Sequence, residues 1–216
     1  MAGFSCPGWL VVTRVVVFID YQNAYRGARR AFFHEWDPGI LGHLQPRLLA
    51  LKLKGGENAK RELTAVRVYR GLPVAKWDPV GAAAADRQAG LWNNQGLVTA
   101  ITRPLNYRDR HDPREKGIDV SLAVDFVMMA QRDEYDVGIL FSEDTDLVPA
   151  LEAVAEIKGP GACETGTWFP LEEPGRRPPS PLLLPHARLG AVHLLRKNDF
   201  DHVRDETDYN VRRRRR

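Results

Sequence analysis

The chain has 216 residues, 44% of them hydrophobic and 27% charged, a balance that fits an ordinary globular protein and excludes disordered, collagen-like and coiled-coil chains. Its formal charge of +3 resides in the terminal run Arg212–Arg216: setting those five residues aside, 26 Lys and Arg face 28 Asp and Glu. A near-neutral body with a cationic tag is not a basic domain built to wrap nucleic acid. The two cysteines, Cys6 and Cys163, form no CxxC or Cys/His cluster. Zinc fingers and disulfide scaffolds are thereby excluded, and a reducing, cytoplasmic setting is expected.

In chain order, Val11 to Ile19 is β-branched and apolar on both faces, which predicts a buried parallel strand. Arg14 interrupts this run, Asp20 ends it and no small-residue cleavage site follows, so it is not read as a signal peptide. No other stretch approaches the roughly 20 apolar residues of a membrane span. Helical spacing recurs around Tyr25 to Phe33 and again around Ile40 to Leu53, with Pro38 and Gly39 between. Leu63 to Arg70 reads as a second strand, Pro79 to Asn93 as an Ala-rich helix, and Leu97 to Thr102 as a third strand.

After the polar loop Arg103 to Lys116, the segment Asp119 to Gln131 is apolar around nearly its whole circumference, which predicts a helix buried against a sheet. Val137 to Phe141 follows as a fourth strand, Asp144 to Ile157 as a helix and Ala162 to Phe169 as a fifth, weaker strand. Residues 170–185 hold six of the fifteen prolines and read as a long loop. Ala191 to Leu195, an edge strand, and Asp199 to Asp208, a short helix, complete the pattern. Alternating strands and helices predict an α/β domain with a mostly parallel sheet of about five strands. It spans residues 11–209 with the proline loop inserted, followed by a disordered Arg-rich tail at 210–216.

Four acids fall where strands end or helices begin: Asp20, Asp119, Asp144 and Asp146. In a parallel sheet the carboxyl ends of all strands share one edge, where ligands bind at a topological switch point. Asp119 and Asp144 also suit helix N-caps, and Asp146 suits the helix dipole. Asp20 ends an apolar strand and has no cap role legible in the sequence. Carboxylates crowded at one edge repel each other, and divalent cations relieve the repulsion. Hard oxygen donors without His or Cys favour Mg2+ or Mn2+, and two such ions promote phosphodiester hydrolysis.

Three motifs then stand in order: Val16-Val17-Phe18-Ile19-Asp20-Tyr21-Gln22-Asn23, Lys116-Gly117-Ile118-Asp119-Val120, and Leu140-Phe141-Ser142-Glu143-Asp144-Thr145-Asp146-Leu147. Together they resemble the NYN domain, a family within the PIN-like metal-dependent ribonucleases, over roughly residues 14 to 157. The stretch from Asp199-Phe200 to Asp208-Tyr209 resembles the ending of some bacterial members. The resemblance implies a three-layer fold, metal-binding acids at Asp20, Asp119, Asp144 and Asp146, an Asn23 that orients a water or phosphate oxygen, and a Ser142 that shapes the turn beside substrate. Glu143 replaces the family's usual glycine. It adds a negative charge beside the site, as an outer-sphere ligand or as an obstacle to substrate.

Asp125 reads either as a further ligand or as a structural partner of Ser121 or Arg132 on the same helical stripe. The loop before Asp119 interleaves Arg103, Arg108, Arg110, Arg114 and Lys116 with Tyr107 and His111, a pattern suited to holding a phosphate backbone and stacking a base. Asp109, Asp112 and Glu115 offset part of that charge, so the same loop also reads as a solvated one. Arg26, with Arg29 and Arg30, forms a second basic patch or a solvated helix face.

The leading expectation is therefore a metal-dependent endoribonuclease acting on RNA. DNA stays open as substrate, because no residue identifies a reader of the 2′-hydroxyl. A HAD-type phosphatase needs a second Asp two residues after Asp20, where Gln22 stands. A non-catalytic RNA-binding or adaptor module is the alternative from another class. The Arg-rich tail reads as a solvated end, or as an anchor for RNA, an anionic membrane, a partner protein or a second copy of the chain.

Overall fold

The computed structural model describes residues 12–55, 60–109, 113–170, 181–184 and 189–210. Arg110, His111, most of loop 170–185 and Arg212–Arg216 lie outside the described residues. Six strands form one sheet: β1 Thr13–Asp20, β2 Arg61–Leu72, β3 Val98–Pro104, β4 Val137–Phe141, β5 Cys163–Trp168 and β6 Ala191–Leu195. Their order is β3-β2-β1-β4-β5-β6 and every pairing is parallel. The sheet is thus one strand wider than expected, the sixth being the edge strand read at Ala191 to Leu195. Among the described residues six α-helices flank it: α1 Tyr21–Phe32, α2 Pro46–Lys54, α3 Pro79–Asn93, α4 Ile118–Gln131, α5 Val148–Lys158 and α6 Lys197–Val203.

The central strand explains the layering. From Val15 to Asp20 every residue of β1 is buried. Val15, Val17 and Ile19 pack with α1, α2 and Trp92 of α3, whereas Val16 and Phe18 pack with α4 and α5. Period-two alternation therefore feeds two apolar cores, one on each face. After β1 the chain builds outward through β2 and β3, then returns to lay β4 on the other side of β1. The β1/β4 boundary is the switch point at which connections diverge and a cleft opens at the carboxyl edge.

Helix ends differ from the expectation where local chemistry intervenes. The segment read as helical from Ile40 divides into a short 3-10 turn, Gly39–Gly42, and α2, because Pro46 occupies the first turn of α2, where a missing N–H costs nothing. Asp144 caps a 3-10 turn, Thr145–Leu147, so α5 begins only at Val148. α6 ends at Val203, after which Arg204 bridges to Leu44 and the backbone is extended. α4 is not buried all round. Ile118, Leu122, Phe126 and Ala130 face the sheet, but Val120 and Val124 are 65% and 53% exposed. A helix packed against the sheet and α5 still keeps one stripe toward solvent.

At the far side of β5, Glu164 is 1% exposed and held by three charged contacts. Arg61 binds it through both terminal nitrogens, at 2.5 and 3.1 Å, and His193 Nε2 lies 2.8 Å from its Oε2. Burial alone would raise this carboxyl, but the His193 and Arg61 hydrogen bonds outweigh it and bring it down to about 2. Such a group stabilises the fold above its unfolded value near 4.5, and the contribution vanishes as pH falls through about 2. Glu164→Gln should cost about 3 kcal/mol at neutral pH in urea unfolding, because it strands the Arg61 charge. The gap to wild type should narrow between about pH 4.5 and pH 2; a gap independent of pH would refute this account.

Candidate metal centre

Asp20 is the last residue of β1 and is only 3% exposed. No loop separates it from α1. The carboxylate is the N-cap of that helix, its Oδ1 accepting from the Asn23 backbone N–H at 3.0 Å. The cap role that the sequence left invisible is thus real, and it holds the carboxylate at the switch point. Oδ2 accepts from the Ser142 hydroxyl at 3.1 Å, which ties the end of β1 to the end of β4. The Ser142 oxygen in turn accepts from Asp144 N–H at 3.1 Å. Asp144 Oδ1 accepts from Asp146 N–H at 3.0 Å.

One ligand atom each from Asp20, Glu115 and Asp119 lie within 4.8 Å of one another. Asp119 lies in the first turn of α4, whose N-cap is Gly117 in a left-handed conformation (φ 77°). The capping role expected of Asp119 therefore belongs to the backbone around Gly117, and the carboxylate is free to join the cluster. Glu115 was missed in the sequence, where it counted only as an offset to loop arginines. Its Oε1 accepts from Gly71 N–H at 2.5 Å, at the end of β2, and with its amide oriented to satisfy both ends Gln22 donates to the same oxygen and accepts from Arg26. The one local signal is its place directly before the Lys116-Gly117-Ile118-Asp119 motif.

Asp144 and Asp146 stand outside this three-acid cluster, the first half-buried and the second exposed. They still act on it: Asp119 is raised first by burial and then by the charges of Asp144 and Asp146. Glu115 is also raised by burial, against the Gly71 hydrogen bond. Asp20 is pushed up to about 7, mainly by desolvation, with Asp119 and Glu115 adding repulsion and the Asn23 and Ser142 hydrogen bonds opposing it. Three carboxylates in mutual conflict, without His or Cys, are the donor set that a hard divalent cation relieves.

The other residues singled out in the sequence divide clearly. Asn23 Oδ1 accepts from Glu143 N–H at 3.0 Å, so the side-chain oxygen positions the β4 turn. Ser142 is 2% exposed, with both hydrogen bonds internal. The Glu143 carboxylate turns away from the acids to Arg30 (2.8 Å) and Thr167 (2.6 Å). Asp125 Oδ2 is held by Arg67 and Tyr69 of β2, each at 2.7 Å, rather than by Ser121 or Arg132. Arg29 binds the carbonyls of Asp37 and Pro38. Arg26 and Lys116 are exposed. The Tyr107 hydroxyl accepts from Val74 N–H, and its ring lies 6.2 Å from that of Trp77.

The chain matches the NYN domain over residues 14–159, well over half its length. No curated protein matches it. Among solved structures, a protein of unknown function from Vibrio parahaemolyticus is similar at 16% identity and a TM-score of 0.48, over 71% of this chain and 80% of that one. Among the described residues no helix is long and apolar enough to cross a membrane.

Because the folded state holds the Asp20 proton up to about 7 whereas the unfolded chain releases it near 3.8, metal-free protein should lose stability as pH rises through that interval. Asp20→Asn removes this dependence. In chelator-treated samples the variant should melt above wild type at about pH 8, with the difference closing toward pH 4. A variant less stable than wild type at the higher pH would show that Asp20 contributes more as a cap than it costs as a buried charge.

Proposed function

The chain belongs to the NYN domain family, which implies a PIN-like nuclease fold and a generally ribonuclease-like character, and we propose that it is a metal-dependent endoribonuclease. The convergence of Asp20, Glu115 and Asp119 at the β1/β4 switch point carries this reading. Mg2+ or Mn2+ suits the donor set, and when bound supplies a water of lowered pKa and stabilisation of charge on a phosphoryl group. Asp20, Glu115 and Asp119 hold the ion, while Asp144 and Asp146 extend the anionic rim beyond Asp119. Ser142 and the Asn23 backbone fix the Asp20 carboxylate, and the Asn23 side chain fixes the turn that carries Asp144.

Substrate contacts fall to side chains around the acids. Lys116, exposed and directly after Glu115, forms no ion pair among the described residues and screens the approach of a polyanion. Arg26 is linked to Glu115 through Gln22. Tyr107, paired with Trp77, offers ring surface for an unstacked base, and Arg110 belongs to the same loop. RNA is the substrate the family favours, with DNA left open. The active unit is residues 11–209, acting in the cytoplasm, with the tail 210–216 as contact for RNA, a partner protein or a second copy.

Purified protein should cleave labelled mixed-sequence RNA with Mg2+ or Mn2+ and not with EDTA. Asp20→Asn, Asp119→Asn and Glu115→Gln should each lower kcat about 100-fold or more, the scale of losing a charge-stabilising group, and Asp146→Asn should lower it less. RNA bound but never cleaved would identify a non-catalytic RNA-binding module instead. Cleavage indifferent to Glu115→Gln and abolished by Asp146→Asn would restore the four-aspartate arrangement.

A further inference from the structure

A second recess opens on the α1/α3 side of the sheet, around the residue that follows Tyr69. Tyr69 lies opposite Asp20 in the β1/β2 register. Its neighbour Arg70 points to the other face, as strand alternation requires. There the guanidinium lies over the rings of Tyr21 and Trp92, 5.0 and 5.8 Å from their centroids. It borders a cavity of about 210 Å3 that His43, Gln88 and the segment Thr207–Asn210 also line. At about 30 Å3 per water, this space holds roughly seven waters.

Arg70 forms no ion pair among the described residues; its hydrogen-bond partner is Gln88 Oε1. The other end of that amide, Nε2, donates to the Tyr21 hydroxyl at 2.9 Å. The same hydroxyl is hydrogen-bonded to His43 Nδ1, 3.0 Å away. Burial and the Arg70 charge bring His43 down to about 4, so at neutral pH the ring is uncharged. Arg70, Gln88, Tyr21 and His43 thus form one hydrogen-bonded chain. Among the described residues Arg70 retains most of its five N–H donors, beside a cavity that His43 also lines.

The nearby acids do not neutralise this arrangement. Asp205 is buried, with its carboxylate bound to the Tyr209 hydroxyl and Thr207 N–H. Asp208 is exposed at the rim and accepts from Asn210 N–H at 2.9 Å. Glu115 accepts from Gly71 N–H, one residue beyond Arg70, on the side of the metal cluster. A largely buried guanidinium without a counter-ion is costly, and its planar fork of donors matches phosphate oxygens.

We propose that this cavity is a phosphate-binding pocket built on Arg70, taking either free phosphate or the terminal phosphate of a nucleic-acid strand. The pocket's chemistry stands without the nuclease reading; only the strand-end source rests on it.

The test uses the full chain in EDTA, so that no cleavage intervenes, with calorimetric titration of inorganic phosphate and of a short RNA bearing a 5′-phosphate, a 3′-phosphate or neither. Arg70→Gln removes the charge. Ala84→Glu, on the cavity lining contributed by α3, sets a carboxylate against Arg70 without disturbing its aromatic cradle. Both variants should weaken phosphate binding about tenfold or more, the scale of a hydrogen bond to a charged group. If Arg70→Gln fails to fold, Ala84→Glu decides alone. Tighter binding of one phosphorylated RNA than of its unphosphorylated counterpart identifies the strand end; binding of inorganic phosphate without that preference identifies the free ion. The proposal is overturned if neither probe binds, or if binding is unchanged in the folded variants. Failure of the nuclease reading would appear only as absent cleavage with metal, and leaves this result untouched.

Discussion

The structure turns on a carboxylate placed where a carboxylate is expensive. Asp20 ends a central strand that is buried from Val15 onward, and is almost wholly withdrawn from water. Two hydrogen bonds offset part of that cost, from the Asn23 backbone and from Ser142. The same two bonds join β1, α1 and β4 at the point where the sheet reverses its building direction. The remainder of the cost survives as a raised affinity for a proton. A site that prefers to be occupied is a natural consequence of capping a helix with an acid inside an apolar core.

The surrounding contacts keep that acid from relaxing. Asn23 holds Glu143 N–H, and the Glu143 carboxylate is drawn off to Arg30 of α1 and Thr167 of β5. Gly27 sits close against this arrangement: a Cβ there would meet the Trp168 ring tightly, at 3.1 Å, and Glu143 Oε1 in ordinary contact, at 3.4 Å. Trp168 Nε1 donates to Ala24 O at 2.8 Å and its ring packs edge-on against Phe141 and Phe200. Glu143, which the sequence casts as an extra charge at the centre, is a strut between α1 and β5.

What the sequence disclosed follows the range of the forces involved. The alternation of strands and helices, and the acids at strand ends, depend on local periodicity, and they are legible. The Asp20 cap was hidden because β1 passes into α1 with no turn residue between them, so helical spacing is legible only from Tyr25. Asp125 illustrates the opposite failure: helical spacing points to Ser121 and Arg132, while Arg67 and Tyr69 reach it from β2. Glu115 is the most instructive case. Nothing in its charged loop distinguishes it from Asp109 or Asp112, and its role comes from Gly71 N–H, a donor that only the folded sheet brings near.

Gly71 also marks the boundary between two fields of opposite sign. On one side Glu115, Asp20 and Asp119 gather negative charge at the end of β1; on the other, Arg70 stands over Tyr21 and Trp92. The charges attract, since Glu115 favours the charged form of Arg70 against its burial, but Glu115 is anchored to Gly71 N–H and Arg70 to Gln88. A Cβ on Gly71 would lie 2.7 Å from the Glu115 side chain and 2.5 Å from Leu105, so the separation depends on a residue without one. Two fixed charges that do not collapse into a salt bridge each retain capacity for an outside partner, the acids for a cation and the arginine for an anion. A phosphate-bearing chain with its counter-ion presents both.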